Sequence, residues 1–471
     1  MKVTFMKTRF CPSPTGNIHL GNARTALFCA LLAHKHQGEL VLRIEDTDQK
    51  RSNETFTEQL LKDLEWLGIT WEEGPQVGGP NGPYWQSQRQ DIYQRYYEML
   101  ESMNLVYPCF CTEQQLAINR KIQASQGKPP RYPGTCSHLT KEAIQEKIAQ
   151  GLTYTLRFHV PKNEIIQFID LVKGEQRFNT DDIGDFIIRR VDQTAPFLFC
   201  NAIDDATMGI THILRGEDHL ANTPRQIMIL KALKLPIPHY GHISLIMGSD
   251  GGPLSKRHGS QSIKELKESG FLAIGVNNYL ARLGHYYSDT HFMPMSELAA
   301  FFSTDNLGKS PARFDQDQLL YWQKEAVASS KSETLWTWFG KETHHLVPEA
   351  KRDLFITTVQ PNVCFPQDAL HWAQILFHDS IDFSDEQKTI IQTAGGEFFK
   401  SAKTAIETFG IDYDKLCSEL KIKLGIKGKA LFQPLRIALT GSINGPELKN
   451  IMELLGSEKV QERLETAAKL C

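Results

Sequence analysis

Two short segments of the sequence carry residue types that could bind a phosphate. Residues 16–22 (GNIHLGN) place His19 between two glycines, where a first strand is expected to turn into a first helix. The free N–H groups at a helix start favour a phosphate, and Gly21 would let that phosphate approach the backbone closely. His19 could donate a hydrogen bond to the phosphate as its negative charge builds. On its own, this pattern more often belongs to an ordinary surface loop.

The second segment is residues 248–259 (GSDGGPLSKRHG), which combines glycines with adjacent bases. Glycines at this density predict a mobile loop. The pair Lys256 and Arg257 could close over a nucleotide and stabilise charge that develops on its phosphates. Taken alone, the segment also fits a solvated basic turn.

A third group has the composition of a zinc site. Cys109 and Cys111 are followed, after an interval of 24 residues, by Cys136 and His138. Three thiolates and one imidazole match tetrahedral Zn²⁺, and four protein ligands leave no open position for catalysis. The alternative is a chance cluster of buried thiols.

The elements around residues 16–22 follow an alternating order. Residues 3–10 read as a strand, residues 22–37 as an amphipathic helix, residues 40–44 as a second strand, and Asn53 opens a second helix. This order predicts a parallel α/β sheet, in which ligands bind where strands turn into helices.

The chain of 471 residues is long enough for two to four domains. The α/β pattern is interrupted between about residues 84 and 190, and strand-like apolar segments resume at 185–190 and 197–203. From about residue 320 to the end, the pattern is mostly helical and predicts a separate unit.

Composition narrows the classes of protein further. The net charge of −3 gives no global signal for nucleic acid, so a polyanion would have to meet local basic patches. No apolar run reaches the roughly 18 residues of a membrane span, and the first residues lack a secretory pattern. Nine cysteines in so long a chain favour reduced thiols and a cytoplasmic location.

The combination of motifs resembles a known family. Residues 9–22 (RFCPSPTGNIHLGN) and residues 43–48 (RIEDTD) are similar to the opening of class I glutamyl- and glutaminyl-tRNA synthetases. Cys11 stands where that family usually has alanine. The resemblance runs along essentially the whole chain. It implies a Rossmann-like catalytic region over residues 1–320, with an acceptor-binding insertion at about 84–190 and a stem-contact segment at about 250–320.

The resemblance also implies roles for single residues. Residues 248–259 resemble the family's second ATP motif, although Pro253 replaces its first lysine and stiffens the loop entrance. His19, Lys256 and Arg257 are the expected catalytic residues. The expected contacts to ATP are Ser13, Gly16, His19, Gly21, Asp218, Leu254, Ser255 and Lys256.

Binding of glutamate needs a fixed cation for the side-chain carboxylate and an acceptor for the ammonium group, and arginine meets a carboxylate with two N–H groups. By resemblance, which includes the block LRGEDH at residues 214–219, the cations are Arg9 and Arg215, and Glu45 faces the ammonium group. Phe197 occupies a position where the family usually has tyrosine, so a hydroxyl contact is expected to be lost. The full expected set is Arg9, Ser13, Glu45, Phe197, Asn201 and Arg215.

The same resemblance covers the metal and the partners. The Cys/His group matches the zinc motif of bacterial glutamyl enzymes and implies one structural zinc in a knuckle over the tRNA acceptor end. Residues 321–471 resemble the all-α anticodon-binding domain of those enzymes, whereas glutaminyl enzymes have a β-barrel there. The basic segment at residues 417–436, alternatively a solvated helix face, could meet tRNA phosphates. The implied partners are ATP with Mg²⁺, L-glutamate and tRNA(Glu), with a monomeric chain and no membrane contact.

Two alternatives remain open from the sequence. One is an enzyme that also charges tRNA(Gln), or charges mainly that tRNA. The other is a catalytically weak RNA-binding relative, which the retention of His19, Glu45, Arg215 and Lys256 argues against. A shortened relative that glutamylates a tRNA base is excluded by the length of this chain.

Overall fold

The computed structural model describes residues 5–47, 53–248, 250–252, 254, 261–378 and 381–471. The chain divides into two compact units. The first comprises Met1–Lys267 with Val276–Gln318, and the second comprises Glu268–Gly275 with Leu319–Cys471. Among the described residues, none of the helices has the length and apolar character needed to cross a bilayer.

The first unit opens with the alternating elements that the sequence predicts: β1 (Lys7–Phe10), α1 (Leu20–Lys35), β2 (Glu39–Leu42) and α2 (Glu54–Trp66). Strands β1 and β2 pair in parallel, with Arg9 opposite Val41. Asn53 caps α2, because its side chain accepts a hydrogen bond from the Thr55 amide at 2.9 Å. The predicted parallel α/β arrangement is confirmed here.

The interruption after about residue 84 is a mixed region with antiparallel strands. Its helices and strands are α3 (Gln90–Ser102), β3 (Val106–Cys109), α4 (Glu113–Ser125), α5 (Lys141–Ala149), β4 (Thr155–Phe158), β5 (Ile165–Asp170), β6 (Gly174–Asn179), α6 (Thr180–Ile183) and β7 (Phe186–Arg189). Strands β3, β4 and β7 form one antiparallel sheet, and β5 and β6 form a hairpin.

The prediction of a strand at residues 197–203 is wrong, because this segment starts a helix. The elements here are α7 (Phe197–Thr207), β8 (His212–Gly216), α8 (Thr223–Ala232) and β9 (His239–Ile243). Helix α7 is buried on nearly all sides, and its first four residues, 197–200, are all apolar, so the segment resembles a buried strand in sequence. Its polar residues Asn201, Asp204 and Asp205 are also buried, because they take part in a network of ion pairs and hydrogen bonds.

Strands β8 and β9 form a second parallel pair, with Arg215 opposite His242. The start of β8 is tied to β1, since the Thr211 amide donates to the Lys7 carbonyl at 2.9 Å. The carboxyl ends of both parallel pairs therefore belong to one region of the first unit. The unit is completed by β10 (Ile246–Met247), α9 (Ile263–Glu268), α10 (Ala273–Arg282), which crosses the division, α11 (Met295–Phe301) and β11 (Ala312–Arg313).

The second unit is helical, and no strand occurs among the described residues after Arg313. Its core is built from apolar side chains such as Phe355, Phe399 and Leu435, which are completely buried. Its helices are α12 (Gln316–Ser329), which begins just before the unit, α13 (Ser332–Leu346), α14 (Arg352–Val359), α15 (Pro366–Phe377), α16 (Asp385–Ala394), α17 (Gly396–Phe409), α18 (Tyr413–Leu424), α19 (Lys429–Thr440), α20 (Leu448–Leu455) and α21 (Ser457–Ala468).

Candidate active site

The start of α1 offers an open site for an anion. His19 is the N-cap residue of α1 with extended backbone, and its exposed side chain makes no capping hydrogen bond. The first turn contains no acidic residue, so the positive end of the helix is not neutralised there. A Cβ atom built on Gly16 or Gly21 would meet no atom of another described residue within 4 Å, chain neighbours aside. The charge and the free space of this turn therefore suit a bound phosphate.

The two glycine-containing segments meet at their ends. The Ile263 amide donates to the Ile18 carbonyl at 2.9 Å, and His19 forms an isolated antiparallel bridge with Ser262. Within the second segment, the Leu254 amide donates a hydrogen bond to the Ile246 carbonyl at 3.1 Å. Pro253 and residues 255–260, with Ser255, Lys256 and Arg257, lie outside the described residues, so their assignments stay predictions.

The two arginines predicted to bind glutamate differ in their partners. Arg9, on β1, is buried and pairs with Asp205 of α7, whose two carboxylate oxygens both lie 3.3 Å from Nε. Arg215, on β8, is also buried, but it forms no ion pair with any residue in the described ranges. It lies close enough to Arg9, Asp205 and Glu45 for their charges to affect its pKa. These groups therefore belong to one constellation.

Neutral groups hold the Arg215 guanidinium. Its Nε donates to the ring Nε2 of His242 at 3.2 Å, and its Nη2 donates to Thr223 Oγ1 at 2.7 Å and to Gln226 Oε1 at 2.8 Å. The Nη1 group is buried and has no hydrogen-bond partner among the residues that the structure describes. Burial lowers the pKa of Arg215 to about 10, so the side chain is still a cation at neutral pH. An unpaired buried N–H group on a cation can bind a carboxylate.

Glu45 follows β2 and supplies the opposite charge. The Asn201 amide donates to its carboxylate, and Arg43 Nη2 lies 3.9 Å from Oε1. Arg43 Nη2 also donates to Asn201 Oδ1 at 3.0 Å, so Asn201 bridges the two charged side chains. Burial raises the pKa of Glu45 to about 7, although Arg43 and the hydrogen bond from Asn201 oppose this shift.

Arg43 and Asp205 are structural members of this site that sequence reasoning did not single out. Arg43 is completely buried, and its Nη1 donates to Asp205 Oδ1 at 2.9 Å. Asp205 thus holds Arg43 and Arg9 together. Arg43 belongs to the RIEDTD motif, so its position there was a usable signal. Nothing in the sequence indicated that Asp205 would be buried beside two arginines, because that contact joins residues that lie far apart in the chain.

The remaining predicted residues lie around this constellation. Phe197, the first residue of α7, stacks on the His219 ring with centroids 4.8 Å apart and an interplanar angle of 26°. The exposed Asp218 carboxylate lies 3.6 Å from the Nε2 atom of His219. Ser13 is also exposed, and its carbonyl accepts a hydrogen bond from the Thr15 amide at 2.9 Å. No described side-chain contact ties Ser13 to the buried groups.

The insertion brings together three of the four predicted metal ligands. The sulfur atoms of Cys109, Cys111 and Cys136 all lie within 4.8 Å of one another, and those of Cys111 and Cys136 are 3.7 Å apart. Two thiolates bound tetrahedrally to one zinc ion at about 2.3 Å would be about 3.8 Å apart. The donor set and its spacing therefore fit zinc.

His138 is not part of this cluster, and its side chain is exposed. The hydroxyl of Tyr132 lies beside the cysteines instead, at 3.3 Å from Cys109 Sγ and 3.7 Å from Cys111 Sγ. It also accepts a hydrogen bond from the Cys136 amide at 2.8 Å. Tyr132 is therefore a candidate for the fourth ligand, which the spacing of cysteine and histidine residues in the sequence does not reveal.

Family models match both parts of the chain. The model described as the catalytic domain of class I tRNA synthetases (E and Q) matches residues 5–321. The model described as an anticodon binding domain matches residues 332–468.

Individual relatives match along the full length. Glutamate–tRNA ligase 2 of Coxiella burnetii (strain RSA 331) is 54% identical over 462 residues, which cover 98% of this chain and 99% of the relative. Glutamate–tRNA ligase 2 of Nitrosococcus oceani is 52% identical over 465 residues, covering 99% and 98%. A crystal structure of a glutamate tRNA ligase from Elizabethkingia meningosepticum, in complex with its amino acid, has a TM-score of 0.89 at 28% identity and covers 99% of both chains. The chain therefore belongs to the class I tRNA synthetases of the glutamate and glutamine group.

Proposed function

We propose that this chain is a glutamate–tRNA ligase. It activates L-glutamate with ATP to give glutamyl-adenylate and pyrophosphate, and it then transfers the glutamyl group to the 3′-terminal ribose of tRNA(Glu). The observation that carries this proposal is the unpaired Nη1 group of Arg215, a buried cation without an acidic partner in the described chain. The names of the full-length relatives support the same substrate.

The pocket for glutamate is proposed to combine three groups. Arg215 binds the side-chain carboxylate through Nη1, because its other N–H groups already have protein partners. Glu45 faces the ammonium group of the substrate, and Asn201 orients Glu45. Arg9 adds positive charge, although Asp205 compensates part of it. The stacked rings of Phe197 and His219 are proposed to line one side of this pocket at the start of α7.

Activation itself requires charge stabilisation rather than a covalent enzyme intermediate. The α-carboxylate of glutamate attacks the α-phosphate of ATP, and pyrophosphate leaves. The open first turn of α1 and His19 are proposed to bind the phosphates. Lys256 and Arg257 are proposed to close over them, while Ser13, Asp218, Leu254 and Ser255 contact the rest of the nucleotide. Mg²⁺ accompanies ATP and neutralises part of its phosphate charge.

The cysteine cluster is proposed to hold one structural zinc ion. Three thiolates at this spacing repel one another, and a cation removes that repulsion. Hydrogen bonds from Tyr132 and Arg157 lower the pKa of Cys109 against the effect of burial, whereas burial raises the pKa of Cys111 to about 11. Either Tyr132 or His138 is proposed as the fourth ligand. His138 would need its exposed side chain to move toward the three sulfur atoms.

The helical region is proposed to read the anticodon, with a division of the chain near residue 320. Four lysines of the basic segment are exposed at the junction of α18 and α19, and Lys421 lies 6.0 Å from the centre of the half-exposed Phe432 ring. Exposed cations beside an aromatic ring suit phosphates and an unstacked base. The exposed lysines are Lys421, Lys423, Lys427 and Lys429, whereas Arg436 donates to the Pro446 carbonyl. We further propose that the protein works as a cytoplasmic monomer.

Aminoacylation of purified tRNA(Glu) and tRNA(Gln), assayed side by side with labelled glutamate, tests the proposal. Charging of tRNA(Glu) alone is the expected result. Charging of both tRNAs would instead establish an enzyme that does not discriminate between them. Charging of neither would contradict the proposed activity.

A further inference from the structure

A buried histidine lies directly behind the arginine that is proposed to bind glutamate. His242 is completely buried on β9, in register with Arg215 on β8. Its ring contacts three polar groups: Arg215 Nε and Thr223 Oγ1 on one side, and Asp170 Oδ2 on the other. Because the ring is buried and both of its nitrogen atoms have partners, these partners decide which nitrogen carries the proton.

The neighbours determine where the ring proton resides. Arginine can only donate, so Nε2 of His242 must accept from Arg215 Nε at 3.2 Å. Nδ1 therefore carries the proton and donates to Asp170 Oδ2 at 2.5 Å. The pKa of His242 is lowered by burial, even though the hydrogen bond to Asp170 opposes this shift. The ring is thus neutral at pH 7 and remains an acceptor for Arg215.

Asp170 is held in place by backbone amides as well as by the His242 ring. It ends β5, and its Oδ1 atom accepts from the backbone amides of Val172, Lys173 and His242 at 2.8–3.1 Å. These bonds and the one from His242 lower the pKa of Asp170 despite its burial. The carboxylate is therefore ionised and rigid, and it selects the tautomer of His242 that can accept from Arg215.

The remaining contacts fix the plane of the guanidinium. Thr223 Oγ1 accepts from Arg215 Nη2 at 2.7 Å and lies 3.0 Å from His242 Nε2, so its hydroxyl can donate to the ring. Gln226 accepts the second Nη2 proton. The Nε–H group and both Nη2–H groups of Arg215 thus donate to neutral acceptors, and Nη1 is left for the substrate.

We propose that His242 and Asp170 are positioning residues for glutamate, because together they supply a neutral acceptor that holds Arg215 Nε and directs Nη1 toward the side-chain carboxylate of the substrate. A neutral acceptor matters here. A carboxylate at the same place would neutralise Arg215 and weaken its attraction for the substrate. This inference rests on the proposed function, since it assigns the residues that act through Arg215.

Two substitutions of His242 separate the two roles of its ring, which are to donate to Asp170 and to accept from Arg215. His242→Asn can donate to Asp170 at the position of Nδ1, but it offers no acceptor at the position of Nε2. His242→Gln can offer an acceptor near the position of Nε2. Asp170→Asn keeps the shape of the carboxylate, but its N–H group favours the His242 tautomer with a proton on Nε2, which then points at Arg215 Nε–H.

The test measures KM for glutamate and KM for ATP by tRNA-dependent ATP–pyrophosphate exchange, together with the melting temperature. We expect His242→Asn and Asp170→Asn to raise KM for glutamate by about tenfold or more, with KM for ATP changed by less than about twofold. His242→Gln should recover most of the glutamate affinity. As a control, Tyr287→Phe removes another buried hydrogen bond, that to the Leu298 carbonyl, and should change neither KM.

Three results would overturn the inference while the wild type remains active. These are an unchanged KM for glutamate in His242→Asn, an equal rise of both KM values, or equal effects of the asparagine and glutamine substitutions. If His242→Asn fails to fold, the other two variants test the inference. It predicts a raised KM for glutamate in Asp170→Asn and a nearly normal one in His242→Gln, and an unchanged KM in Asp170→Asn would overturn it. A wild-type chain without glutamate-dependent exchange would instead refute the proposed function, and the inference with it.

Discussion

The Ile263 amide donates a hydrogen bond of 2.9 Å to the Ile18 carbonyl. Ile18 precedes the N-cap of α1, and Ile263 begins α9 just after the segment that contains Lys256. This bond fixes the far end of the glycine-rich loop beside the open first turn of α1. This position of Ile263 agrees with the proposal that Lys256 acts on a phosphate bound at that turn.

Replacement of Lys256 tests whether the loop supplies the closing charge. We expect Lys256→Ala to lower the rate of ATP–pyrophosphate exchange by about 100-fold or more, with KM for ATP changed by less than about threefold, because the charge acts mainly in the transition state. Arg257→Ala should have a similar but smaller effect. The exposed Lys231 on α8 is a matched control, and Lys231→Ala should exchange like the wild type. Near-normal exchange by Lys256→Ala would remove this residue from the site.

Arg215 is expected to determine the affinity for glutamate. Arg215→Ala loses the charge and leaves His242, Thr223 and Gln226 without their donor, so KM for glutamate should rise by about 100-fold. Arg215→Lys keeps the charge but cannot satisfy the same acceptors, and a rise of at least about tenfold is expected. Steady-state kinetics with glutamate as the varied substrate measure both. Arg95→Ala, at an exposed arginine of α3, is the control; an unchanged KM in Arg215→Ala would exclude Arg215 from the pocket.

Glu45 predicts a pH dependence of glutamate use. Burial raises its pKa in the free protein to about 7, so the carboxylate, which is proposed to face the substrate ammonium group, becomes protonated as the pH falls through that value. The kcat/KM for glutamate should therefore decrease between about pH 8 and about pH 6 and approach a tenfold loss per pH unit at the acid end. Glu45→Gln should be less active and should lack this acid limb. A flat wild-type profile over the same range would contradict the assignment.

Metal content tests the cysteine cluster. Purified protein is expected to contain about one zinc ion per chain, and Cys111→Ser should lose most of it, because the Cys111 sulfur belongs to the three-sulfur cluster and lies 3.7 Å from that of Cys136. Cys364→Ser, at a cysteine outside the cluster, should retain the metal. Comparison of Tyr132→Phe with His138→Ala identifies the fourth ligand, since only the variant that lacks a true ligand should bind zinc more weakly. Wild-type protein with far less than one zinc per chain would refute the site.

The sequence predicted the parts of the fold that depend on local patterns. The order of β1, α1, β2 and α2, including the cap at Asn53, follows from hydrophobic periodicity and from residues with strong local preferences. Residues 197–203 were misassigned, because the apolar run at residues 197–200 resembles a buried strand, and the polar face of this helix is buried in a charge network that the sequence does not reveal.

The candidate site was only partly accessible from the sequence. Arg9, Glu45, Asn201 and Arg215 could be named because they belong to motifs. Their partners could not, since Asp205 and the His242–Asp170 pair make contacts between strands and helices that are distant in the chain. Such a buried polar network is specified by tertiary packing, and a histidine within the strand HYGHI gives no sign of it. The separation of His138 from the cysteines likewise depends on the course of a loop that spacing does not determine.

ATP–pyrophosphate exchange in the presence of tRNA(Glu) tests the central claim most directly. The wild-type chain is expected to exchange pyrophosphate when L-glutamate is present, and to show little exchange with L-glutamine or L-aspartate at the same concentration. Arg215→Ala should need far more glutamate for the same rate. Exchange that is absent with glutamate, or equally fast with glutamine, would contradict the account of Arg215 as the cation that selects the substrate carboxylate.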